Sequence, residues 1–425
     1  MLAISLGTSR KISTLKSFRK DPIGFLRSAA SNSSSSAPEF TIAGRRIVLL
    51  KDAEDIELVL VQEQRQFKKG PGLLRLRGIL GDGLLTASSE QHLKSRKILQ
   101  PAFSGPKITE YGSTMPEIVD RVIQDWTDGQ LLDQQSEMAR LTLSIVVSAL
   151  FNSNTIPDHA QVGAAIDSSL ETLYGPLSAC PHASSERSPK CQLRKVLDDV
   201  ESGHRTTSST DLFSLIVESE LTDAEKFDES VTFLLGGHES VSIALTWTWF
   251  ALSQNPDIRE KFETEIDPLT PGMLTPENLP YTRKIVAESL RYYPPAWMFS
   301  REAIKGVEVG GALYPAGTIF VAAPCVTHQD SRYWENPEKF DPERWDADQM
   351  KKSNRRRYAY FPFGGGVRRC IGEQFALTEL PIVLATVGKK WRLDPPVGAE
   401  PPAFDPVVTL RPRGGLPMVV SKRRP

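Results

Sequence analysis

Much that would assign this chain elsewhere is scarce in it. Four cysteines in 425 residues (Cys180, Cys191, Cys325 and Cys370) do not suggest a disulfide framework. No run of about 18 apolar residues occurs, so no membrane span is expected; the best candidate, 141–151, reads as a core helix. The formal net charge is only −1, so no global field favours nucleic acid or an anionic membrane. No internal repeat and no flavin or nicotinamide motif is visible. The first 20 residues hold no acid, only Arg10, Lys11, Lys16, Arg19 and Lys20 among Ser and Thr. That stretch reads as a basic tail, with a mitochondrial transit peptide as the alternative.

What remains is a chain long enough to bury a large core, 40% hydrophobic and 24% charged, as expected of a globular protein. The patterning is mostly helical. Helices are expected from Asp52 to about Gln62, from Ser88 or Ser89 to about Pro101, and over 115–128, 134–152, 256–266 and 278–292. The longest should run from Thr222, with Asp223 and Glu225 in its first turn, to about Gln254. A hairpin is expected from 40–42 and 47–50, with short strands near 307–321, 391–394 and 407–420. Residues 69–86 and 336–362 read as coil. Ser31 to Ser36 is low-complexity, and 154–210 is poorly patterned. Cys180 and Cys191 flank His182 but lack a C-x-x-C pair, so a loop with free thiols is preferred to a metal site.

The segment Phe363-Gly-Gly-Gly-Val-Arg-Arg-Cys370-Ile-Gly372 stands apart. It reads as a glycine-rich loop delivering one cysteine to the start of a helix. Backbone N–H groups and the positive end of a helix dipole both favour a thiolate. Gly364 and its neighbours allow a tight backbone path, Phe363 can shield the sulfur, and Gly372 removes a side chain where a flat partner must pass. A buried thiolate with one open face suits a haem iron. Pro381 falls inside the following helix, where it should remove a ladder bond and kink the axis.

The spacing Phe-Gly-x-Gly-x-Arg-x-Cys-x-Gly resembles the haem-binding segment of the cytochrome P-450 family, the haem-thiolate monooxygenases. Further motifs follow in family order. Gly236-Gly-His-Glu239-Ser240, in the middle of the long helix, resembles the oxygen-activation motif, with Ser where many members have Thr. The Ser240 hydroxyl is expected to bond the carbonyl four residues back, beside a local opening of the helix. Glu288-Ser-Leu-Arg291 and Pro342-Glu-Arg344-Trp resemble the family's Glu-x-x-Arg and Pro-Glu-Arg motifs, a structural lock rather than a catalytic group.

The resemblance covers about 21–425 and implies one mainly α domain with a small β portion, after a basic tail at 1–20. Haem b would lie between the long helix and the Cys-loop helix, with Cys370 as the metal ligand. Glu239 and Ser240 would relay protons. His92 and Arg96, one helical face at i,i+4, together with Arg301 and Arg368, would meet the propionates. One atom of dioxygen would enter an apolar small molecule, in a pocket lined from 73–85, 233–237, 296–299 and around Val407. A separate ferredoxin- or flavodoxin-type donor with its reductase is implied, docking near Lys351, Lys352, Arg355, Arg356, Arg357, Lys94, Lys97 and Arg369. The chain looks like soluble bacterial members, hence cytoplasmic, or of the mitochondrial matrix if 1–20 is a transit peptide. The rival readings are a partner-independent peroxygenase or isomerase and a non-enzymatic haem-binding protein. The region 154–210 looks too short of apolar periodicity for the usual two-helix lid.

Overall fold

The computed structural model describes residues 15–33, 35, 37–158, 160–164, 189–205, 211–352 and 356–423. Most of the basic tail (1–14), Cys180, His182, most of the lid region and Arg355 lie outside the described residues. Residues 15–20 are helical. Contacts divide the chain into two compact units, one of 1–74, 287–370 and 405–410, the other of 75–286, 371–404 and 411–425.

The first unit is built on a five-stranded sheet. Its order is Glu39–Ile42, Arg45–Leu50, Ile319–Ala322, Phe299–Ala303, Phe67–Lys69. The expected hairpin forms, with Ala43 and Gly44 both at positive φ (50° and 78°) in its two-residue turn. That twist matches the twist of the flanking strands. Arg45–Leu50 then pairs parallel with Ile319–Ala322, Val48 opposite Phe320. All four residues of the latter strand are buried, as befits the middle of a sheet covered on both faces. Val48, Leu50, Ile56, Phe67, Tyr314 and Phe320 form the core beneath it. Phe299–Ala303 was not foreseen as a strand, because Ser300, Arg301 and Glu302 mask its period.

The second unit is helical. Asp223–Gln254 is opened by a capping box, Thr222 and Glu225 each accepting the other's backbone N–H. It is buried nearly all round, with Trp247 and Trp249 fully buried, which marks it as the central helix of its unit. Gln134–Ala149 packs closely along it; a Cβ on Gly237 would stand 3.0 Å from Val146. Gly105–Ile123 packs on Glu373–Gly388. The former starts ten residues before the expected 115, since Gly105, Pro106 and Pro116 disguise it. Pro381 lies within a single continuous helix. A three-stranded sheet, Leu131–Asp133, Pro417–Lys422 and Trp391–Asp394, closes the unit. Expected coil at 69–86 contains two short helices, Pro71–Leu74 and Arg77–Leu80. Among the described residues no helix is long and apolar enough to cross a membrane.

Candidate functional site

In the first unit the glycine loop is a tight, hydrogen-bonded turn. Gly364 N–H donates to the Phe361 carbonyl (3.0 Å), and Cys370 N–H returns to that of Phe363 (3.0 Å). Gln64 reaches across to accept the Val367 N–H at 2.8 Å. Gly366 is at φ +67°, and a Cβ there would collide with the Leu60 carbonyl, so glycine is required twice over. Cys370 is exposed at the end of the loop. Phe363 is only half-buried. Nor does protein packing demand glycine at 372: a Cβ there meets Phe103 at 3.8 Å, an ordinary contact. Gly372 caps the helix Glu373–Gly388, whose backbone ladder opens with Ala376 N–H bonding its carbonyl. Cys325, by contrast, is buried, and burial pushes its thiol up to about 12. It stays a thiol at neutral pH, which leaves it unsuited to ligation.

Behind the loop stands a buried charge lock in the same unit. The Glu288 carboxylate accepts from Arg291 Nε (2.9 Å) and Nη2 (2.8 Å), Arg344 Nε (3.0 Å), Trp345 Nε1 (2.9 Å) and the Asp341 N–H (2.8 Å). Arg291, fully buried, also donates to the carbonyls of His328, Pro337 and Lys339. His328 Nε2 in turn accepts the Phe361 N–H at 3.0 Å. The motifs foreseen from sequence thus reach the cysteine loop through His328, which was missed. A buried charge pair survives only when its remaining donors and acceptors are satisfied, as here.

Arg301 and Arg368 lie near enough to repel. Burial first, then the charge of Arg368, pulls Arg301 down to about 10; burial lowers Arg368. Arg301 is 8% exposed, and its Nη1 donates to the Ser300 carbonyl. Among the described residues no carboxylate pairs with it. Two crowded guanidiniums, one without a carboxylate partner, fit the carboxylates of a haem. In the same unit Trp297 Nε1 bonds the Val407 carbonyl at 3.4 Å, joining two of the expected pocket segments.

In the second unit, His92 (buried) and Arg96 (half-buried) share a face of Ser89–Leu99, one turn apart. On the long helix Ser240 Oγ donates to the Gly236 carbonyl at 3.2 Å, the expected back-bond, and Ser242 Oγ to that of Glu239 at 2.8 Å. The helix runs unbroken here, so no local opening is formed. Glu239 and Ser240 are half-buried. Between the glycines and Glu239 sits His238, missed from sequence. Its Nδ1 is 2.6 Å from the Leu234 carbonyl, and Thr142 Oγ1 holds its own carbonyl at 3.0 Å. Burial pulls the imidazole down to about 4, so it is neutral at pH 7. Phe233, just before the motif, stacks on Phe103 with centroids 5.7 Å apart.

The cysteine loop and the buried Glu-Arg-Arg lock of the first unit, and the Glu239–Ser240 run of the second, fit a haem-thiolate protein. The chain matches the family model Cytochrome P450 over residues 28–172 and 189–418 and belongs to that family; it is a cytochrome P450 monooxygenase. It is 32% identical to Cyclooctat-9-en-7-ol 5-monooxygenase of Streptomyces melanosporofaciens, over 91% of this chain and 88% of the relative. It is 31% identical to Pentalenene oxygenase of Streptomyces avermitilis, over 81% and 82% respectively. The fold is similar to that of CYP175A1 from Thermus thermophillus, with a TM-score of 0.76, 28% identity, and 98% and 99% of the two chains covered.

Proposed function

We propose that residues 21–425 work as one catalytic domain that inserts an oxygen atom into an apolar, terpenoid-like molecule, with haem b ligated by Cys370. The observation that carries this is the hydrogen-bonded path from the Glu288–Arg291–Arg344 lock through His328 to the cysteine loop. Such a path fixes the segment that enters the loop. When bound, thiolate-ligated haem supplies the activation of dioxygen. Phe363, Gly364 and Gly372 shape the loop around it. Arg301 and Arg368 would meet the propionates and so orient the group, the role the family resemblance also gives His92 and Arg96.

Glu239 and Ser240 control protons. The Ser240 hydroxyl proton rests on the Gly236 carbonyl, and one rotation about χ1 frees it for donation. Ser rotates more easily than the Thr of many relatives. The half-buried Glu239 carboxylate would carry protons from solvent to such a hydroxyl. His238, neutral at pH 7, adds no charge beside them.

Electrons would come from a ferredoxin- or flavodoxin-type donor with its reductase. Exposed Arg356 and Arg369 support a basic docking surface; the side chains of Lys351 and Lys352 lie outside the described residues. No role with nucleic acid follows from the charge balance. A cytoplasmic location is supported by the bacterial origin of the two Streptomyces relatives, against the mitochondrial matrix. The relatives' names favour cyclic, unsaturated substrates over fatty acids. Turnover of a panel of terpenes and fatty acids with donor and reductase tests this. Product from terpenes, driven by the donor, is expected; peroxide-driven turnover that outpaces it would contradict the proposal.

A further inference from the structure

One hydroxyl joins the stretch before Glu239 to a neighbouring helix. Thr142, on Gln134–Ala149, is completely buried, and its Oγ1 donates to the His238 carbonyl of the long helix at 3.0 Å. The same oxygen lies 2.9 Å from the Met138 carbonyl of its own helix and 3.3 Å from that of Ala139. A hydroxyl carries one proton, so these carbonyls share it. Bonding back to the fourth carbonyl is ordinary for a helical threonine; reaching across to another helix is not. The reach needs a close approach, and Gly237 supplies it: a Cβ there would stand 3.0 Å from Val146, one turn on from Thr142. Along the chain Thr142 is flanked by buried Leu141, Leu143, Ile145 and Val146. A buried hydroxyl costs free energy that valine would avoid, so its use here calls for a reason.

The tie falls where the long helix is already loaded. Three of the four carbonyls from Gly236 to Glu239 accept a hydroxyl: Gly236 from Ser240 at 3.2 Å, His238 from Thr142, and Glu239 from Ser242 at 2.8 Å. Each hydroxyl competes with the ladder N–H of the same carbonyl, which makes the stretch easy to bend. Ser240 and Ser242 travel with the helix; Thr142 stands on another helix and so anchors it. The His238 side chain is held as well, Nδ1 lying 2.6 Å from the Leu234 carbonyl. The peptide unit is planar, so the His238 carbonyl and the Glu239 N–H turn as one body. Fixing that carbonyl therefore fixes the direction in which the Glu239 side chain leaves the helix.

We propose that Thr142 is a positioning residue for the Glu239–Ser240 pair: its hydroxyl, through the His238 carbonyl, sets the aim of the carboxylate that carries protons. That role rests on the reading that Glu239 and Ser240 control protons. Thr142→Val would leave the helices packed and the carbonyl untied. The stretch would then take up the slack that Ser240 and Ser242 allow, and Glu239 would present its carboxylate less constantly to Ser240.

The test uses the full haem-loaded chain with donor and reductase, and limonene as the probe. The sequence holds one His-Glu pair, 238–239, so isotopic labelling of His carbonyls and Glu nitrogens together gives a single NMR signal from that peptide. It is read in the reduced, carbon-monoxide form, which is diamagnetic. Hydrogen peroxide released per reducing equivalent reads the relay, since dioxygen given two electrons and two protons without reaching the probe leaves as peroxide. The solvent isotope effect on turnover reads proton delivery directly. Thr142→Val should move the peptide signal, raise peroxide per equivalent by about three-fold or more and enlarge the isotope effect, at near-parent Tm. Thr142→Ser, which keeps the hydroxyl, should restore all three readouts. Should Thr142→Val fold poorly, Thr142→Cys, with a weak donor, gives the same readouts. A signal that stays put in Thr142→Val would show the proton to serve Met138 alone and overturn the proposal. So would a moved signal with parent-like peroxide and isotope effect, or a Thr142→Ser variant as impaired as Thr142→Val. Glu239→Gln runs alongside: parent-like peroxide and isotope effect there would sink the relay reading itself, a failure the peptide signal does not share.

Discussion

The backbone N–H of Phe361 donates to Nε2 of His328 at 3.0 Å, so the segment entering the cysteine loop hangs from an imidazole whose own carbonyl is held by Arg291. The acceptor role of Nε2 requires a neutral ring. His328→Phe should therefore leave a buried N–H without its partner, at a cost of about 1–3 kcal/mol. Urea unfolding at neutral pH checks this, and haem retention should fall with stability.

The lock behind it is less forgiving. Arg291→Ala removes two of the five bonds to a buried carboxylate and frees three carbonyls. A loss of roughly 3–5 kcal/mol is expected, against a much smaller loss for the exposed pair Arg46–Glu39. Parallel denaturation of Arg291→Ala and Arg46→Ala makes the comparison.

Gly366→Ala should displace the loop rather than unfold the chain. The substitution demands a left-handed φ of an L-residue and drives a methyl into the Leu60 carbonyl. Near-parent stability with a weakened hold on haem is the expected result, read by haem titration of the apoprotein.

Glu379 offers a pH test. It is fully buried on Glu373–Gly388, neither carboxyl oxygen has a partner among the described residues, and burial raises its pKa well above the ordinary range. The folded state thus holds this proton more tightly than the unfolded chain. The stabilisation is complete below the unfolded carboxyl value and is lost as pH rises towards the folded value. Glu379→Gln should flatten that decline, measured as Tm against pH.

Ser240→Ala removes the movable proton while keeping the helix. Reducing equivalents should still be consumed, but with less product per equivalent. Glu239→Gln should lower kcat by roughly 100-fold or more. Product yield and donor consumption, measured together, separate the two effects.

The chemistry-bearing residues were legible because each motif is local. Glycines at 364 and 366, the Glu-x-x-Arg turn and the Gly-Gly-His-Glu-Ser run sit within a few residues of one another, where backbone geometry dictates spacing. What escaped notice depends on distant pairing. His328 meets Phe361 across 33 positions, and Asp228 meets Asp82 across 146. Neither partner looks unusual in its own stretch of sequence. Two elements were hidden by composition: Phe299–Ala303 carries three polar residues in a row, and Gly105–Ile123 begins among residues that normally end helices. The acids Asp223 and Glu225, by contrast, marked the start of the long helix to within one residue.

The central claim is thiolate ligation through Cys370. The most direct measurement is the absorption spectrum of the reduced, purified protein under carbon monoxide, beside that of Cys370→Ala. A strongly red-shifted Soret band in the parent, absent from the variant, is the predicted result. A band at the position of histidine-ligated haem, or one that survives Cys370→Ala, would contradict it.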